Sequence, residues 1–159
     1  MSHIEEAKTN LVFTDLAALI RQGQAEAVAA HPCLALLRGA VTMVANQYGG
    51  EIRPYYYSYR YRRESANTGL ALHIPETAER HLPQALPRGI GLDIDVQTGT
   101  LCFRGDSWDV DKNFYQHVQQ QILQKYMVLA HMAALQQMNY QVSTEVSEGR
   151  VMITGVAYA

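Results

Sequence analysis

Cysteine, proline and tryptophan are scarce in this chain of 159 residues, which contains two, five and one of them. The two cysteines, Cys33 and Cys102, lie far apart and in no spacing typical of a metal site. The sequence therefore argues against a disulfide scaffold and a structural zinc site, and its small cysteine content fits a reducing, cytoplasmic compartment.

The chain also lacks a basic excess and a long apolar run. Thirteen Lys and Arg against fifteen Asp and Glu leave a formal net charge of -2. Because dedicated DNA-binding domains usually have a basic excess, this balance disfavours that class. No run approaches the ~20 apolar residues that span a bilayer, and the first ten residues have no apolar core, so we expect neither a membrane protein nor a signal peptide.

The composition is that of a folded chain, since 48% of the residues are apolar and 18% are charged. The length is typical of one domain, and we expect a single domain over residues 1–159. The N-terminal half predicts, in order, a strand at residues 10–13, a helix from Thr14 that ends before Pro32, a β-branched strand at residues 36–45, and a long strand from Glu51 to Arg63 after a Gly49-Gly50 turn.

The C-terminal half has a clearer pattern. An irregular, proline-containing excursion covers about residues 64–88, with residues 70–74 extended. Alternating apolar residues between 90 and 103 then predict a hairpin. Asp109 or Asp111 caps a helix over about residues 112–138, and two strands around Glu148-Gly149 close the chain. The expected fold is an α+β two-layer sandwich, a mostly antiparallel sheet with one short and one long helix on one face.

The stretch PYYYSYRYRR, residues 54–63, is the most unusual part of the sequence. If it is extended, alternate tyrosines share one side of the strand, because side chains alternate between the two faces. That side forms a platform of aromatic rings beside several guanidinium groups. The candidate binding residues are Arg53, Tyr55, Tyr57, Tyr59, Arg60, Tyr61, Arg62 and Arg63.

Three interpretations of this stretch remain open. The rings are partly buried under a helix as ordinary core, or they form a surface for a protein partner, since tyrosine and arginine are enriched at binding hot spots. Alternatively, they stack the bases of a single-stranded nucleic acid. An exposed aromatic strand is also an edge at which a second copy of the chain can pair.

Evidence for catalysis is weak in the sequence. Carboxylates cluster at Asp93, Asp95, Asp106, Asp109 and Asp111, which are oxygen ligands of the kind that Ca²⁺ or Mg²⁺ prefers, but the EF-hand order is missing. Cys33 follows His31 closely, but no nucleophile or phosphate-binding motif is present. An enzyme of unknown reaction using Asp93, Asp95, Asp106, His31 or Cys33 is a third hypothesis. We predict no catalytic residue, no metal site and no cofactor.

A further pattern covers roughly the first 20 and last 70 residues, and consists of Ser2-His3, Lys8-Thr9, Asp15, Gly89-Ile90-Gly91, Asp106, Trp108, Val118, Tyr126, Ala133, Tyr140, Val142 and Glu148-Gly149-Arg150-Val151. With the order of elements, this pattern resembles a small uncharacterised family known from plastids and cyanobacteria as hypothetical chloroplast reading frame thirty-five. The tyrosine run is an addition to that pattern. The resemblance implies an accessory or adaptor role and, weakly, an AAA-type ATPase partner.

From the residues together with this resemblance, we expect a non-catalytic accessory protein. It binds a protein partner or itself through the stretch of tyrosines and arginines.

Overall fold

A five-stranded antiparallel sheet forms the centre of the protein. The computed structural model describes residues 4–80, 84–138, 140–147 and 150–157. The strands run in the order β1-β7-β6-β5-β2 across the sheet. Their bounds are Glu5–Val12 for β1, Glu51–Arg53 for β2, Leu70–Ile74 for β5, Leu86–Ile94 for β6 and Thr100–Gly105 for β7.

In the part of the chain that the structure describes, two further strand pairs lie outside this sheet. The first is the hairpin of β3, Tyr55–Tyr57, and β4, Arg63–Ser65. The second is the hairpin of β8, Tyr140–Ser147, and β9, Arg150–Ala157. The predicted closing strands are thus confirmed, while the turn at 148–149 lies outside the described residues.

Within the described residues, four α-helices supply the second layer, two more than the sequence predicts. They are α1 at Thr14–Arg21, α2 at Ala25–Ala30, α3 at Pro32–Tyr48 and α4 at Lys112–Gln137. Buried side chains of all four join the alternate residues of β5, β6 and β7 that face them, such as Leu72, Leu92 and Phe103, in one apolar core. The α+β sandwich is therefore confirmed, with more helix than expected.

The strand predicted at residues 36–45 is wrong, because this segment is the middle of α3. The buried residues of α3 recur at the helical period and not at the strand period of two. They are Leu34, Leu37, Ala40, Val41, Val44 and Ala45.

Pro32 is the first residue of α3, although the sequence predicts only that it ends the preceding helix. Proline is tolerated at the first helical position, where its missing N–H needs no partner, and the Nδ1 atom of His31 caps the helix by accepting from the Cys33 backbone N–H at 3.1 Å.

The long strand predicted from Glu51 to Arg63 is also wrong. The segment divides at Pro54 into β2 and β3, and residues Tyr59–Tyr61 form a single 3₁₀ turn. Arg60 and Tyr61 have φ angles of 57° and 56°, in the left-handed region. Because two consecutive left-handed residues reverse the chain, β3 folds back on β4 and does not continue as a strand.

The proline-containing stretch is more ordered than predicted. It supplies β4 and also β5, which lies between β6 and β2 in the main sheet and is buried along its whole length. The extended conformation expected for residues 70–74 is confirmed. The hairpin expected between residues 90 and 103 is confirmed as β6 and β7, although β6 begins earlier, at Leu86.

The cap of α4 generates a prediction about stability. The Asp111 carboxylate accepts hydrogen bonds from the backbone N–H groups of Asn113 and Phe114, whereas Asp109 makes no such bond and has a φ of 64°. Asp111→Ala should lower the free energy of unfolding by about 1 kcal/mol, because two N–H groups lose their acceptor.

Asp109→Gly is the matched variant. It should leave stability unchanged or raise it by up to about 1 kcal/mol, since glycine adopts a positive φ without steric cost. Urea unfolding of both variants measures the difference, and equal losses at the two positions would contradict the assignment of Asp111 as the cap.

Candidate recognition site: the tyrosine hairpin

The run of tyrosines folds into the hairpin of residues 55–65, which we call the tyrosine hairpin. Tyr55 pairs with Ser65, Tyr56 with Glu64 and Tyr57 with Arg63, and residues 58–62 form the tip. At the base of the tip, the Ser58 N–H donates to the Arg62 carbonyl at 2.8 Å. The expected single row of four rings is therefore absent.

Tyr56 fixes the tyrosine hairpin to the main sheet. Its ring is almost completely buried and lies over Gly91 in β6. A Cβ atom at Gly91 would stand 2.4 Å from the Cδ1 atom of Tyr56, so no larger residue fits there without moving the ring. Glycine in a strand interior often marks such a close approach.

Hydrogen bonds hold the hairpin on both sides of this contact. On one side, the Nε2 atom of His73, a buried residue of β5, lies 2.7 Å from the Tyr55 carbonyl oxygen. Because a carbonyl oxygen only accepts, Nε2 donates in this shorter contact, while Nδ1 lies 3.3 Å from the Pro87 carbonyl oxygen. On the other side, the amide of Asn67 exchanges two hydrogen bonds of 2.7 and 2.8 Å with the backbone of Ile94.

Three of the predicted rings do come together. Tyr57 lies 5.4 Å from Tyr55 and 5.3 Å from Tyr61 between ring centroids, and both Tyr55 and Tyr57 contact the ring of His73 edge to face. The Tyr55–Tyr57 pair is also edge to face, an arrangement that aromatic rings favour. Tyr59 is separate, 58% exposed, with the Arg60 guanidinium 5.2 Å from its ring centroid.

The arginines surround these rings. The Arg63 guanidinium stacks 4.2 Å from the Tyr55 ring centroid, and Arg53 lies 5.9 Å from the same ring while bonding the Glu51 carboxylate. Arg62 is highly exposed, 3.8 Å from Glu64. Four arginines and two glutamates between residues 51 and 64 leave a formal charge of +2 on a chain whose net charge is -2.

The arginines also affect the phenol chemistry. The pKa of Tyr57 lies below its ordinary value, chiefly because the Tyr55 hydroxyl donates a hydrogen bond to it. Arg63 and Arg53 add to this effect, because nearby positive charge favours the phenolate.

The carboxylates proposed for catalysis are engaged within the fold. Asp93 accepts from the Asn67 backbone N–H at 2.7 Å and lies 3.5 Å from the Arg104 guanidinium, and burial raises the pKa of its carboxyl group. Asp95 accepts from two backbone N–H groups of the turn that follows it.

The remaining candidates for catalysis are also engaged. Asp106 accepts from the backbone N–H two residues later and lies 3.7 Å from Arg88. His31 is the cap of α3, so its Nδ1 atom faces a backbone N–H and not the thiol of Cys33. The thiol of Cys33 lies beside the Tyr126 hydroxyl. Burial chiefly, and after it the neighbouring Cys33, raises the pKa of Tyr126 to about 12. Among the described residues, no group of three or more His, Cys, Asp or Glu side chains is arranged to hold a metal ion.

Sequence reasoning missed the residues that position the hairpin, namely Tyr56, Asn67, His73 and Gly91. The Gly-Ile-Gly stretch at residues 89–91 was the available signal, because glycine inside an alternating strand indicates close approach of another group.

Comparisons with protein-family models, curated proteins and solved structures gave no match to this chain. The family resemblance stated above therefore stays a prediction. No helix within the described part of the chain is long and apolar enough to cross a membrane.

The contact between Tyr56 and Gly91 gives a prediction. Gly91→Ala should lower the free energy of unfolding by about 1–3 kcal/mol, because the new methyl group overlaps the Tyr56 ring. In a Tyr56→Ala background the same change should cost close to nothing, since the ring is gone. A double-mutant cycle by urea unfolding measures this coupling, and an equal cost of Gly91→Ala in both backgrounds would refute the docking described here.

The hydrogen bond to Tyr57 gives a second prediction. In a spectrophotometric titration at rising pH, Tyr57→Phe should remove a phenol that ionises before the ordinary tyrosine pKa of about 10. Tyr55→Phe should move that ionisation to higher pH, because the donated hydrogen bond is lost. Tyr126→Phe is the control, which should remove a late ionisation near pH 12 and leave the early one in place. An unchanged early ionisation in Tyr57→Phe contradicts the assignment.

Proposed function

We propose that this chain is a non-catalytic accessory protein that recognises a protein partner, or a second copy of itself, through the tip of the tyrosine hairpin. The observation that supports this most is the position of Tyr59 and Tyr61. Each is more than half exposed, at 58% and 57%, on a hairpin whose base is fixed to the main sheet.

Large exposed aromatic side chains on a fixed base are suited to binding. Tyrosine presents a large contact area with few rotatable bonds, so it loses little conformational entropy when a partner covers it. Tyrosine and arginine are also the residue types enriched where single side chains dominate binding energy. The hairpin tip offers both within residues 59–62.

The backbone of the tip supports the same conclusion. Turns with two consecutive left-handed residues usually contain Asn-Gly, but here the residues are Arg60 and Tyr61. A left-handed conformation costs an ordinary residue about 1–2 kcal/mol. Residues in such strained backbone conformations cluster at ligand-binding and switch sites, where the conformation is part of the mechanism.

The arginines suggest the chemistry of the partner. The guanidinium groups of Arg60 and Arg62 lie on the exposed tip, and the local charge is +2. Guanidinium groups form paired hydrogen bonds with carboxylates. An acidic patch or segment on a protein partner fits this surface. An AAA-type ATPase partner is an expectation from the family resemblance alone.

The two alternatives are less well supported. Single-stranded nucleic acid needs open ring faces in a row, whereas Tyr55, Tyr57 and Tyr61 contact one another and Arg63 covers a face of Tyr55. An enzyme of unknown reaction needs free acid–base groups, whereas the candidate carboxylates and His31 each accept a hydrogen bond from a backbone N–H group.

We further propose a cytoplasmic location, which suits the free thiols of Cys33 and Cys102.

Site-specific photo-cross-linking tests this proposal. A cross-linking phenylalanine analogue replaces Tyr59 in the full chain within its native cells, and the matched control places the analogue at Gln120, an exposed residue of α4. We expect a discrete protein adduct from position 59 and none from position 120. Combining the analogue with Arg60→Ala and Arg62→Ala should reduce the adduct at least severalfold.

Light scattering during gel filtration identifies self-association. If the partner is a second copy, the mass should rise with concentration, and Tyr59→Ala with Tyr61→Ala should abolish that rise. Equal adducts from both positions, together with a constant monomer mass, would contradict the proposal. An adduct that disappears with nuclease, and binding that falls steeply with salt, would support nucleic acid instead.

A further inference from the structure

A cavity lies between the helical layer and the turn at residues 66–69, and none of its lining residues belongs to the tyrosine hairpin. It has a volume of about 410 Å³, is open to solvent, and is lined by residues of α1, the α1–α2 connection, α2, the start of α3 and the turn at residues 66–69. This volume is within the range of about 300–1,000 Å³ typical of small-molecule sites.

The walls of this cavity are mainly apolar. Ile20, Val28 and Leu34 contribute branched side chains, and Val28 and Leu34 are also buried members of the main core. The side chains facing them are short, including Ala25 and Ala29, so the space between the helices is not filled. The cavity is therefore continuous with the core, and a ligand there would remove apolar surface from water.

The polar groups of the 66–69 turn are not free to bind a ligand. The Asn67 amide is used by the Ile94 backbone, as described above. The Thr68 hydroxyl donates to the Leu92 carbonyl at 2.5 Å and accepts from the Leu70 N–H at 3.2 Å. These groups close one side of the cavity but offer no strong anchor.

Arg38 is the one charged residue among the described residues that line the cavity. It follows Leu34 by one helical turn on α3, so the two side chains lie on the same face of the helix. Arg38 is exposed, and within the described part of the chain no hydrogen bond, ion pair or ring contact engages its guanidinium. The arginines discussed above each lie near a carboxylate or an aromatic ring, namely Arg53, Arg60, Arg62, Arg63, Arg88 and Arg104.

We propose that this cavity binds a small amphipathic monocarboxylate, with its apolar tail between α1, α2 and α3 and its carboxylate on Arg38. The charge of the site selects this class. One unpaired guanidinium forms two parallel hydrogen bonds with a carboxylate, and the apolar walls match an alkyl or aryl tail. A cationic head group is repelled by Arg38, and the cavity offers no second cation for a dianion.

Isothermal titration calorimetry with sodium decanoate, below its micelle concentration, tests this proposal on the full chain. Decanoate should bind with a stoichiometry near one. Hexanoate should bind at least severalfold more weakly, since each buried methylene contributes up to about fourfold in affinity. Decylamine, with the same tail and the opposite charge, should bind at least tenfold more weakly than decanoate.

Two variants locate the site. Arg38→Met keeps the apolar stem and removes the charge, and should weaken decanoate binding about tenfold or more. Ala29→Trp fills the cavity and should abolish binding, while circular dichroism checks that the variant is folded. Arg60→Met at the hairpin tip is the matched control and should bind decanoate like the unaltered chain.

The outcomes separate this inference from the proposed function. No decanoate binding at millimolar concentration, equal binding of decanoate and decylamine, or unchanged binding by Arg38→Met would each overturn the carboxylate site. Because the cross-linking experiment uses position 59, on a different part of the surface, its result neither supports nor contradicts the cavity.

Discussion

The contact between the Tyr56 ring and Gly91 is the constraint on which the recognition surface depends. A two-stranded hairpin is marginally stable by itself in water. Burying one tyrosine against a strand that has no side chain at the contact gives the tyrosine hairpin a fixed position on the main sheet. The hydrogen bonds of His73 and Asn67 on either side then orient it. These contacts at the base of the hairpin hold the exposed rings of its tip in position, whereas the sequence predicted a row of tyrosines along one strand.

The two sides of the sheet have different roles in this account. The helices bury the apolar face of the sheet and leave a cavity where α1, α2 and the turn at residues 66–69 do not fill the space. The hairpin covers part of the other face and presents aromatic and cationic groups outward. The exposed tip, residues 59–62, and the cavity wall therefore consist of different residues, while Asn67 lines the cavity and also helps to orient the hairpin.

The sequence predicted the parts of the fold that depend on local pattern. Alternation identified β6 and β7, and an aspartate before a long helical period identified α4. It failed at residues 36–45, where β-branched residues outweighed a helical spacing that was already present, and at residues 51–63, where alternation alone predicted a strand. The turn at Arg60 and Tyr61 was not predictable, because its residues are not those that favour a left-handed backbone.

The candidate residues were identified more accurately than their arrangement. Tyr55, Tyr57 and Tyr61 do lie together with Arg63, but through a hairpin and not along a strand. The docking of the Tyr56 ring on Gly91 is tested most directly by solution NMR. We expect nuclear Overhauser contacts between the ring protons of Tyr56 and the α-protons of Gly91. The absence of these contacts, with the Tyr56 ring free in solvent, would contradict the docking of the tyrosine hairpin on the main sheet.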